Sequence, residues 1–302
     1  MGKQKRKQEE YIASAFARKF SEDFKLRKGL PPEEVLKTLQ QEGQPVSRYE
    51  GGQVDELVVL GCCFSGYLET RQAYRFSSSC VESLQESPLD FQIADLRIPF
   101  ESFFLDFQNL EMQIDGKKVL GCFLRRIGEP EHCVCYTALL RGDHGGIRLM
   151  KGALQYENGK TLEEQIDDAY GGYTGEQEFH HTIFALMAYI SSDEPDVQDK
   201  GRETVIVHVD RKRAVPSTTQ FWDVGYRYFT ERPGRAADEE EARSTGTGSH
   251  SPHRPHIRKG HWHTYRCGPG RTQTKVRWVQ ATKVGKGEIV DVIRTKGQPK
   301  GS

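Results

Sequence analysis

Three things are scarce in this sequence of 302 residues: long apolar runs, cysteines at pairing distances, and catalytic signatures. The longest apolar stretches, 57–64 and 183–190, fall far short of the roughly 20 residues a membrane span needs. No membrane partner is therefore expected. The basic start (Lys3, Lys5, Arg6, Lys7) has no apolar stretch behind it, so no Sec-type signal peptide is expected either. The seven cysteines, 62, 63, 80, 122, 133, 135 and 267, are odd in number and contain no Cys-x-x-Cys pair. They read as buried free thiols of a cytoplasmic protein rather than as a disulfide framework or a metal site. Cys133 and Cys135, two apart in a strand-like run, should share one face. No Gly-x-Ser-x-Gly occurs, and no glycine loop precedes Gly-Lys-Ser/Thr. Gly145-Gly146 and Gly171-Gly172 read as turns, and His180-His181 beside Glu176 and Glu178 has the wrong order for His-Glu-x-x-His. Solvated or capping histidines are expected there.

What is present is a foldable body with an uneven charge. Hydrophobic residues make up 36% and charged residues 28%, so most of the chain should fold while some segment stays too polar to do so. The formal net charge is zero, yet residues 251–302 hold twelve Lys and Arg against Glu288 and Asp291, a net of +10. The rest of the chain carries the balancing −10. Such a tail suits an acidic partner, RNA first, although docking on its own acidic body is the competing explanation.

Periodicity places the elements. Ile12, Phe16, Phe20 and Phe24, four apart, predict a helix over 8–28, and Pro31-Pro32-Glu33-Glu34 opens a second one to about Gln41. The run 57–64 fits a buried helix or a strand equally well. Strands are predicted over 119–127 and 131–140, with a hairpin turn at Asp115-Gly116 and another turn at Asn158-Gly159. Thr161-Leu162-Glu163-Glu164 is a capping box opening a helix, a longer helix covers 175–191, and 202–210 reads as a strand. Near the end, 262–266 and 275–280 form a hairpin around Cys267-Gly268-Pro269-Gly270, with a third strand starting near Val284. The fold class is α+β: N-terminal helices (1–45), a mixed α/β body with antiparallel strands (46–230), a flexible linker (231–252), and a small basic β-hairpin module (253–302).

The chemistry-bearing residues crowd into that last module. His250, His253, His256, His261 and His263 fall within fourteen residues, interleaved with Arg254, Arg258, Lys259 and Arg266. On a strand His261 and His263 would share a face, as metal ligands should, but the cationic surroundings and the single nearby Cys267 argue against a metal. Three readings stay open. Arg254, Arg258, Lys259, Arg266 and Arg277 could neutralise phosphates while Trp262, Tyr265 and Trp278 stack on bases, with His256, His261 and His263 in the same nucleic-acid or partner-binding surface. Alternatively His261 and His263 act as base and acid, with Lys259 holding a phosphate, in metal-independent RNA cleavage. Or Trp262, Tyr265 and Trp278 form a small core that pins the tail to the body. No cofactor is expected in any of them.

The run Arg254-Pro255-His256-Ile257-Arg258-Lys259-Gly260-His261-Trp262-His263-Thr264-Tyr265, followed by Gly268, Gly270, Val276-Arg277-Trp278 and Val284-Gly285, resembles the C-terminal signature of a bacterial mobile-element family. That family includes an anti-CRISPR protein acting against the type V-A effector nuclease. Lys259 stands where Arg is usual and Arg266 where Trp is usual. Fainter similarity covers 67–84, 98–107 and 120–124. The resemblance implies a binding protein of the bacterial cytoplasm rather than an enzyme. Its partner would be the nascent N-terminal polypeptide of the nuclease, with mRNA or ribosome as further contacts, and its effect would be loss of the nuclease mRNA during translation. A ribonuclease and a plasmid or phage nucleic-acid-binding accessory protein are the alternatives.

Overall fold

A computed structural model of the chain describes residues 11–46, 55–128, 133–142, 146–171, 174–208, 214–225, 256–258, 260–280 and 282–284, with backbone alone at 174–175, 204–208, 214–217, 256–258 and 282–284. In order these form α1 (Ile12–Asp23), α2 (Pro32–Gln41), α3 (Glu56–Thr70), β1 (Gln72–Phe76), α4 (Ser78–Gln85), β2 (Ser102–Asp106), β3 (Gln113–Ile114), β4 (Lys117–Ile127), β5 (Cys133–Arg141) and β6 (Ile147–Gln155). Then follow α5 (Leu162–Tyr170), α6 (Thr174–Ser191), β7 (Val197–His208), β8 (Ala214–Val224), β9 (His256–Arg258), β10 (His261–Cys267), β11 (Gln273–Val279) and β12 (Thr282–Val284). The α+β class holds. One mostly antiparallel sheet runs β6-β5-β4-β2-β1-β8-β7, with β3 beside β4. Its centre is parallel, because β1 lies parallel to both β2 and β8. No described helix is long and apolar enough to cross a membrane.

The strands β2, β4 and β5 are buried on both faces, which explains why they are almost continuously apolar. Along β2 and β4, Phe103, Leu105, Cys122 and Leu124 meet the core under α4, α5 and α6. Their neighbours Phe104 and Phe123 meet the core under α1, α2 and α3. On β5, Val134, Tyr136 and Ala138 go to the first core, and Cys133, Cys135 and Leu139 to the second. Each fully buried large side chain of this kind contributes about 1.5–3 kcal/mol relative to exposure. A bulge between Val119 and Gly121 re-sets the alternation in β4. There Gly121 makes room for an aromatic ring, since a Cβ would sit 2.1 Å from Cζ of Phe104.

The ambiguous run 57–64 is part of α3. Residues 58–68 are buried without a break, so this helix has no polar stripe from which a period could be read. The Asp55 side chain caps it by accepting from the Leu57 amide at 2.9 Å. Helix α1 is shorter than 8–28 within the described residues, ending at Asp23. Its innermost face is Ala13, Ser14, Ala17 and Ser21, not the four-spaced aromatics. Small residues let α1 come close to α3, while Phe16, Phe20 and Phe24 pack from its flank. Ser14, Tyr67 and Thr219 join α1, α3 and β8 through buried hydroxyl contacts of 3.1–3.4 Å.

Several expectations match closely. Asp115 and Gly116 both have positive φ in the turn before β4, and the Thr161–Glu164 capping box is present. All seven cysteines are free, and six are buried. The histidine pair differs from its expected solvated state. His180 is fully buried: the Tyr136 hydroxyl lies 2.5 Å from its Nε2, and the Tyr170 ring stacks on it at 3.6 Å. Burial pulls its pKa down to about 4. His181 faces Glu163 at 3.2 Å. Strand 202–210 is found as β7, starting five residues earlier. Residues 231–252 lie outside the described residues.

Candidate functional site

The hairpin β10–β11 pairs Trp262 with Trp278, His263 with Arg277, and Tyr265 with Lys275. Its turn uses Gly268 (φ 77) and Gly270 (φ 66), a backbone shape that favours glycine. Alternation along the strands divides the hairpin into two faces.

One face is anchored in the body. Trp262, Val276 and Trp278 join the core under α4–α6. The Trp262 ring meets Phe91 edge-on at 5.0 Å and Trp278 at 5.0 Å. Gly260 lies flush against the indole of Trp278, where a Cβ would approach to 2.4 Å. Its carbonyl accepts from the Ser87 hydroxyl at 3.4 Å. The two tryptophans are thus committed to pinning the hairpin, and base stacking on them would require undocking.

The other face carries His261, His263, Tyr265, Lys275 and Arg277, and part of it is tied to the turn after α6. The Tyr265 hydroxyl donates to the Asp193 carboxylate. Lys275 Nζ donates to the other Asp193 oxygen at 3.0 Å, and Arg277 to Glu194 at 2.7 Å. The Asp193 amide also donates to the Val276 carbonyl at 2.8 Å. The Tyr265 hydroxyl and the Lys275 ammonium hold the Asp193 carboxyl below the usual carboxylate range. The bond to Asp193 pushes the Tyr265 phenol up to about 12. Glu194 adopts φ 57, a strained position for a residue with a side chain.

Of the residues singled out by sequence, then, Trp262 and Trp278 pack into the core, and Tyr265 and Arg277 are partnered by body carboxylates. His261 and His263 do share a strand face; His263 is exposed and stacks near Tyr265 at 6.1 Å. His256 and Arg258 sit on β9, opposite Val284 and Thr282 of β12. Arg254 and Lys259 lie outside the described residues. Among the described residues no group of three or more His, Cys, Asp or Glu could hold a metal. Sequence reasoning missed Asp193 and Glu194. Their signal was an acidic pair directly after a long helix and before Pro195, opposite a strongly basic tail.

The family model described as "AcrVA2-like: Anti-CRISPR type V subtype A2 family" matches residues 74–286, from β1 to just beyond β12. A solved structure described as the crystal structure of AcrVA2 has the same fold. It covers 89% of this chain and 93% of that one at 16% identity, with a TM-score of 0.51. No curated protein matches the chain. With the family model spanning both the sheet and the pinned hairpin, the chain belongs to the AcrVA2-like anti-CRISPR type V subtype A2 family.

Proposed function

We propose that this protein lowers the biosynthesis of a type V-A CRISPR effector nuclease by recognising its nascent N-terminal polypeptide and promoting loss of its mRNA. The observation that carries this reading is the family match over 74–286, which takes in both the body and the hairpin. The body receives the peptide and the basic tail lies against mRNA or ribosome in the bacterial cytoplasm. Body carboxylates engage Lys275 and Arg277, while His263, Arg266 and Arg271 stay exposed beside them. Arg254, Arg258 and Lys259 precede β10 in the sequence and add to the basic charge of the tail.

This function is binding rather than catalysis. Co-expression with the nuclease should lower both its protein and its mRNA, leaving an unrelated control gene untouched. Arg258→Ala combined with Lys259→Ala should weaken the effect more than His261→Gln or His263→Gln does. Each lost phosphate contact should also reduce the salt dependence of RNA binding by about one in log–log slope. Cleavage of RNA by the purified protein, abolished by either histidine change with RNA affinity intact, would sink the reading.

A further inference from the structure

We propose that the end of the sheet where β2 begins and β4 ends is a peptide site for an acidic residue flanked by apolar ones. Arg125 would be its carboxylate ligand and Glu101 a resident stand-in. The inference deepens, and rests on, the reading that the body receives a polypeptide.

Arg125 is a charged side chain with only 3% of its surface exposed. A buried guanidinium is costly unless its N–H groups are matched. Its Nη1 is matched, donating to the Cys62 carbonyl at 2.9 Å and to Ser65 Oγ at 3.2 Å. Gly66 gives it room to lie across α3, for a Cβ there would come 2.8 Å from Arg125 Cδ. The opposite edge is under-filled. Nη2 reaches Glu101 at 3.3 Å, through a carboxylate side chain that is itself 67% exposed. Nε has no hydrogen-bond partner among the described residues. The Nε–Nη2 edge is one that a carboxylate can fill with two parallel hydrogen bonds, and here it holds a single long contact.

Arg125 lines a cavity of about 230 Å³, together with Lys28, Glu69, Thr70, Glu101 and Ser102, while its Nε is itself buried. A second cavity, of about 360 Å³, adjoins it and is lined by Ile98, Phe100, Glu101, Arg126 and Gly128. Arg125 and Arg126 are successive on β4, so their side chains leave opposite faces of the sheet. The two cavities therefore lie on opposite faces and share Glu101 as a wall. The Arg126 amide donates to the Glu101 carbonyl at 2.8 Å, which fixes the Glu101 backbone at the junction.

The chemistry of the combined groove selects its ligand. Lys28 and Arg125 stand with Glu69 and Glu101 in the first cavity, and Arg126 stands with Glu101 in the second. When the exposed Glu101 side chain swings into water, the cations dominate and Arg125 is left with an open bidentate edge. Ile98 and Phe100 offer apolar contact on the far side. An extended peptide crossing the junction meets both, placing its carboxylate on Arg125 and an apolar side chain on Phe100.

The test uses the full chain with ¹⁵N-labelled arginine, following the Arg125 Nε–H resonance. Acetyl-Leu-Glu-Leu-amide is titrated against its Gln counterpart, and against acetyl-Leu-Gln-Leu with a free terminal carboxylate. The Glu peptide should shift the Arg125 signal and the amidated Gln peptide should not. Glu101→Gln removes the internal competitor at an exposed position and should tighten binding about three- to tenfold, while Lys28→Gln should weaken it. A response to the free terminal carboxylate alone would overturn the assignment to an acidic residue within a peptide. No carboxylate-dependent shift, or no gain in Glu101→Gln, overturns the site whatever happens to nuclease levels. Peptide binding without any nuclease knock-down overturns the anti-CRISPR reading and leaves the site standing.

Discussion

Trp262 is the residue on which docking of the hairpin turns, and two substitutions separate its contributions. Trp262→Ala removes the indole from between Phe91 and Trp278, each 5.0 Å away ring to ring. Truncating a buried aromatic of this kind costs about 3–5 kcal/mol. Among the ties that remain, Lys275–Asp193 and Arg277–Glu194 are partly exposed ion pairs worth about 0–1 kcal/mol each. They are too weak to hold the hairpin by themselves. Trp262→Phe behaves differently. It leaves part of the indole volume empty, at about 1–2 kcal/mol. It also removes an Nε1–H that is buried with no partner among the described residues, a burden of about 1–3 kcal/mol. The two offset to within about 1 kcal/mol. Amide hydrogen exchange across 261–279, compared with β5 (Cys133–Arg141), reads both outcomes. Trp262→Ala should speed exchange in the hairpin about 10²–10⁴-fold while β5 stays protected, and Trp262→Phe should stay within about tenfold of the parent. Unchanged hairpin exchange in Trp262→Ala would refute the reasoning that the indoles anchor it.

Other consequences follow from the same packing. His180 is neutral in the fold because burial pulls its pKa to about 4, whereas the unfolded chain protonates it below about 6.5. Stability should therefore fall as pH drops from 6.5 to 4, by something on the order of 2–3 kcal/mol, and level off below. Urea midpoints should show this slope and lose it in His180→Gln; an equal slope in both proteins would contradict the assignment. The lowered carboxyl pKa values of Asp193 and Glu164 place their own losses below about pH 4.5, outside most of that window. Gly121→Ala would put a Cβ 2.1 Å from Phe104 Cζ and should cost about 1–3 kcal/mol or more, whereas Gly128→Ala, with open space around it, should stay within about 0.5 kcal/mol by denaturant titration. Tyr265→Phe removes the leading cause of the low Asp193 pKa, so that carboxyl should titrate at higher pH by NMR, with little change in stability.

The sequence was most legible where one physical signal stood alone. Thr161 and Glu164 sit three apart at the start of a segment whose Leu162 and Ile166 are apolar, which is enough to announce a capped helix. The run Arg254–Tyr265 with Val276-Arg277-Trp278 was specific enough to point to the family. Legibility failed where tertiary burial replaced local pattern. Helix α3 is enclosed on all sides, so its apolar run carries no period. Strand β6, at the edge of the sheet, mixes Arg148, Lys151 and Gly152 with its apolar residues and shows no clean alternation. In α1 the spaced aromatics drew attention from the small residues that make the close contact. The candidate site was half legible: the basic and aromatic residues were evident, but their partners Asp193 and Glu194 are some eighty positions away, and no local rule links them. Arg125 could not be found at all, because an arginine in an apolar strand reads as an ordinary alternation until the helix crossing it is known.

The measurement that bears most directly on the central claim compares two type V-A nuclease reporters that differ by a compensated frameshift across their first codons. Their mRNAs are nearly identical in sequence, while the nascent N-terminal peptides share nothing. Co-expression with this protein should deplete the mRNA and protein of the in-frame reporter only, as the proposed recognition of the emerging polypeptide requires. Equal loss of both mRNAs would place recognition on the RNA itself and contradict the account.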